Sequence, residues 1–318
     1  MNLSSTFRKG LIVGFSTIWD LGKIIFPVTL ILSILQHTPV ISFITDLITP
    51  LMRFIGLSGE TAIVLVLGNV LNLYAAIGAI ISMSLTCKEV FILAVMLSLS
   101  HNLIVETAIT TKIGVKPWVA AGLRLGMAIV FAYLINFFWQ GGQDLASYGI
   151  LAQNTAVAND WPSIIVSSIK IAATGILQMS IIVIPIMIVI QLLKDINVLQ
   201  KLSGLLQPFT NVLGLNEKTG ITLLAGILFG IAYGAGVIIQ TAKEENLSKK
   251  DLYLATFFLI SCHAVIEDTL IFIPLGINVL YLLLIRMVLA CIITISASFI
   301  WNKIDLKKSY NCSNNNNL

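Results

Sequence analysis

Residues Ala62–Met83 read AIVLVLGNVLNLYAAIGAIISM and contain no charged side chain. A run of this length matches the roughly 20 apolar residues that a membrane-crossing helix needs. Similar runs occupy Ile24–Leu35, Val90–Leu99, Val119–Phe138, Ile176–Leu193 and Val279–Trp301. Of the 318 residues, 57% are hydrophobic and only 11% charged, against about 25% charged in a soluble domain. The sequence therefore predicts an all-α membrane protein, a polytopic helical bundle.

The net charge of +4 does not point to nucleic acid, because the basic residues are spread over loops rather than gathered in a stripe. Arg8 and Lys9 precede an apolar run, as in a leader, but Asp20 and Lys23 interrupt that run and no small-residue cleavage site follows. The N-terminus is expected to be retained. Cys87, Cys262, Cys291 and Cys312 form no C-x-x-C pair, so neither a disulfide framework nor a zinc site is indicated. No G-x-x-x-x-G-K-[ST], H-E-x-x-H or G-x-S-x-G pattern occurs, so no enzyme and no resident cofactor are expected.

The chain is similar to itself. At an offset of 158, Pro27 meets Pro185, Pro50 meets Pro208, Gly56-Leu57 meets Gly214-Leu215, Thr61 meets Thr219, Gly68 meets Gly226 and Gly78 meets Gly236. After a four-residue insertion near Ala242–Asn246 the offset becomes 162. His101 then meets His263, Glu106 meets Asp268, Thr107 meets Thr269, Arg124 meets Arg286 and Trp139 meets Trp301. Internal repeats of this kind are common in transporters.

Each repeat carries about five hydrophobic segments: 11–36, 39–55, 60–83, 89–110 and 118–139, then 164–193, 196–213, 217–241, 251–273 and 276–301. The implied organisation is a first repeat over 11–139, an external linker over 140–161, a second repeat over 162–302 and a cytoplasmic tail over 303–318. Lysine and arginine favour cytoplasmic loops. With both termini inside, only Lys88 and Lys218 fall outside, and five crossings per repeat make the two repeats inverted. The segments 39–55 and 196–213 are short and polar enough to re-enter or lie at the interface instead.

The fourth segment of each repeat holds Ser98-Leu-Ser-His101-Asn102-Leu-Ile-Val-Glu106-Thr107 or Ser261-Cys262-His263-Ala-Val-Ile-Glu267-Asp268-Thr269. Ionisable groups inside a span cost at least about 2.5–3.5 kcal/mol each, so they face a partner or a cavity. They could relay protons or hold a coupling ion, ligate a metal, or form structural ion pairs with Arg124 and Arg286. His101 and Glu106 are five apart and miss a common helical face, so they converge only on a distorted helix. The third segments, one with Gly68, Asn69, Asn72, Tyr74 and Gly78 and the other with Gly226, Gly230, Tyr233, Gly234 and Gly236, are rich in glycine and polar residues and point to interrupted helices and a polar binding site. Close helix packing explains the glycines equally well.

At Gly56-Leu-Ser-Gly-Glu60-Thr-Ala, Asn72-Leu-Tyr-Ala-Ala-Ile-Gly78, His101-Asn-Leu-Ile-Val-Glu106 and His263-Ala-Val-Ile-Glu267-Asp268-Thr269 the chain resembles the bacterial nucleoside-recognition, or Gate, domain family. That family includes domains of ferrous-iron permeases, spore-maturation proteins and concentrative nucleoside transporters. No cytosolic GTP-binding domain like that of the iron permeases is expected from these residues. The resemblance implies a bacterial inner-membrane transporter or permease for a nucleoside-like solute or divalent metal, working by alternating access. A non-transporting scaffold for envelope or spore assembly is the other reading. The expected partners are the lipid bilayer and a small solute or ion, with homo-oligomer formation left open. The expected binding residues are Asn69, Asn72, Tyr74, His101, Asn102, Glu106, Tyr233, His263, Glu267 and Asp268.

Overall fold

A computed structural model describes residues 3–35, 38–148, 160–198 and 202–315. Residues 149–159 of the expected linker, 199–201 of the expected 196–213 segment and 316–318 of the tail lie outside the described residues. The first half of the chain forms α1 (Leu3–Leu35), α2 (Pro39–Phe54), α3 (Thr61–Val70), α4 (Leu73–Ile81), α5 (Cys87–Ser100), α6 (Leu103–Lys112) and α7 (Pro117–Phe138). The second forms α8 (Trp161–Asp195), α9 (Gln207–Leu213), α10 (Gly220–Glu244), α11 (Lys249–Ser261), α12 (Glu267–Leu270) and α13 (Val279–Asn315). Among the described residues there is no strand, only an isolated antiparallel bridge between Thr86 and Leu145.

Among the described residues, five stretches are long and apolar enough to cross a bilayer: Cys87–Lys112, Pro117–Phe138, Trp161–Leu193, Glu217–Glu244 and Val279–Ile304. The chain is thus an all-helical, multi-pass membrane protein. Among the described residues, the α-helices of the second segments are too short to cross. The 16 residues of α2 rise about 24 Å against a hydrocarbon core of roughly 30 Å, and α9 has 7. Leu47, Leu51 and Phe54 form an exposed apolar face on α2, the pattern of a helix lying in the membrane interface.

The third segments are interrupted as their glycines imply, and they also double back. Helix α3 ends at Val70, Asn72 is extended, and its side-chain oxygen accepts the Ala75 amide at 2.9 Å to start α4. A Cβ placed on Gly68 would lie 3.1 Å from Ala76 Cβ, so the two arms run side by side. Across the base of this hairpin the Ser58 amide donates to Glu89 Oε1 at 3.0 Å, bringing together residues that precede and follow it. Inside α10, Gly230 has φ 78 and ψ 170, a conformation open in practice to glycine alone. There the chain reverses: a Cβ on Gly234 would meet Ala225 O at 3.1 Å. At its base Asn216 N–H donates to Asp251 Oδ1 at 2.9 Å, and Lys218 Nζ lies 3.5 Å from Glu245 Oε2.

The stretch Glu217–Glu244, long enough to cross by composition, is therefore a hairpin that returns on itself rather than one straight span. A straight helix of its 28 residues would separate its ends by about 42 Å. Counting the third segments as spans, as their apolarity invites, is corrected by this geometry.

Two compact units are present. One comprises Met1–Val105, Ala121–Ile196 and Ile266–Leu283, and the other Glu106–Ala120, Asn197–Val265 and Leu284–Leu318. Each unit draws on both halves of the sequence. In the first, α1 packs on α8 nearly backbone to backbone, since a Cβ on Gly10 would sit 2.7 Å from Ile188 Cα. Small residues permit such approach where lipid removes the hydrophobic drive between helices.

Candidate functional site

The fourth segment of each half is broken at its histidine, with α5 ending at Ser100 and α11 at Ser261. Helix α5 ends at Ser100, His101 leaves the helical region, and Asn102 adopts a left-handed φ of 52 before α6 begins. The free amide of Asn102 donates to Gly68 O at 2.7 Å, which docks the break on the first hairpin. In the second unit Ala264, at φ 41, does the same to Gly226 O at 2.9 Å, and Val265 adds a bond to Ile227 O at 2.8 Å. A non-glycine side chain at positive φ is strained, and such strain persists only where surrounding contacts impose it.

A broken helix leaves carbonyl oxygens without intrahelical donors. Arg124, fully buried on α7, supplies them: Nε donates to Leu99 O at 3.0 Å and Nη2 to His101 O at 2.6 Å. Arg286, equally buried on α13, donates Nη2 to His263 O at 2.6 Å. The matched arginines thus cap the broken ends that present the histidines.

His101 Nδ1 lies 2.7 Å from Leu97 O, and His263 Nδ1 lies 2.7 Å from Leu259 O. A carbonyl oxygen only accepts, so Nδ1 carries a proton in both rings and Nε2 is the variable position. His101 Nε2 faces Asp268 Oδ2 at 3.7 Å in the first unit, and His263 Nε2 faces Glu106 Oε1 at 3.2 Å in the second. The acid of each half meets the histidine of the other half. All four are at least 94% buried, where an uncompensated charge is most costly. Each pair is attractive when it holds one proton between ring and carboxylate, as imidazolium with carboxylate or as imidazole with carboxylic acid. With no proton there, two acceptors confront each other.

Tyr74, on α4, donates its hydroxyl to buried Glu267 Oε1. Asn69 and Asn72 serve the hairpin itself: Asn69 Nδ2 donates to Leu65 O at 2.8 Å, and Asn72 caps α4. Tyr233, in α10, is 60% exposed. Asn102 contributes its backbone to the break. Sequence reading missed the carboxylates at the hairpin bases, Glu89 and Asp251. Their signal was present in Thr86-Cys-Lys-Glu89 and Ser248-Lys-Lys-Asp251, two helix-start patterns at the repeat offset. Thr86 and Ser248 cap α5 and α11, and each acid also holds its hairpin base.

Fold and buried polar groups together define a multi-pass membrane protein with paired helical hairpins and paired broken helices. The chain belongs to the nucleoside-recognition (Gate) family, whose pattern matches residues 18–116 and 176–278, one stretch in each half. It is 49% identical over 301 residues to the uncharacterized membrane protein YvoD of Bacillus subtilis (strain 168), covering 95% of this chain and 96% of that protein. No solved structure matches the chain.

Proposed function

We propose that the protein is a secondary transporter of the bacterial cytoplasmic membrane, rather than an enzyme, moving a small polar solute or ion by alternating access. The observation that carries this reading is the pair of buried contacts His101–Asp268 and His263–Glu106. Each sets an imidazole nitrogen against a carboxylate at the break of a helix and beside a hairpin. Interrupted backbone at membrane depth is tolerated where it is enclosed by protein or lines a cavity, and half-helices recur at transporter binding sites. The nucleoside-recognition family makes a nucleoside-like solute the first candidate, with divalent metals as the second class to assay.

Charge placement supports cytoplasmic termini. With hairpins and short second segments removed, each half crosses three times, again an odd number. Arg8, Lys9, Lys112, Lys116, Lys194, Lys243, Lys249, Lys250 and Lys303 are then inside, Lys218 joins them, and Arg53 and Lys88 are outside.

The test is uptake into proteoliposomes driven by an imposed pH gradient, across a panel of nucleosides and divalent metals, for wild type, Glu106→Gln and Asp268→Asn. Proton-linked uptake that falls in both variants supports the proposal. Uptake equal to empty liposomes for every solute, from folded protein, overturns it and favours a scaffold role.

A further inference from the structure

We propose that the Lys218–Glu245 ion pair latches the base of the second hairpin, and that the first hairpin, built without this pair, opens more readily. The two hairpins match in position and differ in charge. Lys218 aligns with Glu60, while Glu245 falls in the four-residue insertion that separates the two repeat offsets. That insertion lengthens the returning arm: α10 runs on to Glu244, whereas α4 stops at Ile81. The extra turn carries Glu245 back to Lys218, 3.5 Å away.

The surroundings favour this pairing over its competitors. Gln207 Nε2 donates to Glu217 Oε2 at 2.6 Å, which occupies the neighbouring carboxylate. Asn216 Oδ1 accepts the Lys218 amide at 3.0 Å, fixing the backbone from which the lysine extends. The pair borders an open cavity of about 250 Å³ with Gly204 and Ile221, so water and salt reach it. In the first hairpin Glu60 faces the like charge of Glu89. Burial first, and that charge second, hold the Glu60 carboxyl above its ordinary 4.5. The second base carries an opposite-charge pair, and the first has a carboxylate, Glu60, where the second has Lys218.

With side chains 55% and 41% exposed, the pair is a weak, salt-sensitive latch. This inference concerns the resting hairpin and stands or falls separately from the transport reading, because no solute enters its test. Hydrogen exchange followed by mass spectrometry on the full-length protein in nanodiscs reads it directly. Lys218→Glu and Glu245→Lys are each expected to speed exchange across Glu217–Glu244 by about 2–5-fold while leaving Thr61–Ile81 unchanged. The double reversal is expected to restore the wild-type rate. Lys218→Met and Glu245→Gln give the same readout without adding a like charge. Unchanged exchange in these single variants, or a double reversal as fast as the single ones, would overturn the latch.

Discussion

His263 Nε2 and Glu106 Oε1, from different halves of the sequence, face each other at 3.2 Å inside one compact unit. Both side chains are 2% exposed. Removing either partner strands the other in a buried site, so His263→Leu is expected to destabilise the protein by about 3–5 kcal/mol. The double variant His263→Leu/Glu106→Leu is expected to lose less than the sum of the two single variants. Thermal unfolding in detergent across the four proteins of the cycle measures this coupling.

Cysteines introduced at Lys218 and at Glu245, one at a time, report on the second hairpin. Both are expected to react with a membrane-impermeant maleimide from the same side of inverted vesicles. Reaction from opposite sides would mean that Glu217–Glu244 crosses the membrane.

Gly226 accommodates the side chain of Leu259. A Cβ there would press on Leu259 Cδ2 and stand 2.7 Å from Cδ1 and 3.0 Å from Cγ. Gly226→Ala is therefore expected to cost about 1–3 kcal/mol from overpacking. Adding Leu259→Ala is expected to recover part of that loss, read as the melting temperature of the double variant against each single one.

Glu60 sets a pH dependence of defined sign. Its folded-state carboxyl is raised above 4.5, by burial before the Glu89 charge, so the folded protein holds this proton more tightly than the unfolded chain. The associated stability is present below 4.5 and is lost as pH rises through the folded-state value. Glu60→Gln is expected to match wild type at pH 4 and to melt at a higher temperature at pH 7.

Arg124 makes two hydrogen bonds with one planar group, to Leu99 O and His101 O. A lysine has no such fork. Arg124→Lys is expected to lose about 1.5–3 kcal/mol, the scale of one charge-assisted hydrogen bond, and to accelerate hydrogen exchange at residues 97–102 in particular.

Much of the membrane class was legible because composition and apolar runs are strong, local signals. The matched positions His101 and His263, Glu106 and Asp268, Arg124 and Arg286 could be aligned from sequence alone. Their contacts could not, because each acid meets the histidine of the opposite half and periodicity reports only neighbours on one helix. The mismatch of five residues between His101 and Glu106 signalled a distortion without locating the break at Asn102. Apolarity misled most at Ala62–Met83 and at 217–241: a buried hairpin and a lipid-crossing helix need the same side chains. What separated them was Gly230 at positive φ, together with the Ser58–Glu89 and Asn216–Asp251 bonds that close the hairpin bases.

The crossed pairing also bears on ancestry. A single repeat standing alone would leave its histidine and its acid without the partners they have here. Two copies meeting about a two-fold axis would satisfy both at once, each lending its acid to the other. A gene for one repeat could have served as a self-pairing dimer before duplication and fusion placed both copies in one chain. Once joined, the copies were free to diverge, and the charge at position 218 now differs in sign from its counterpart at position 60.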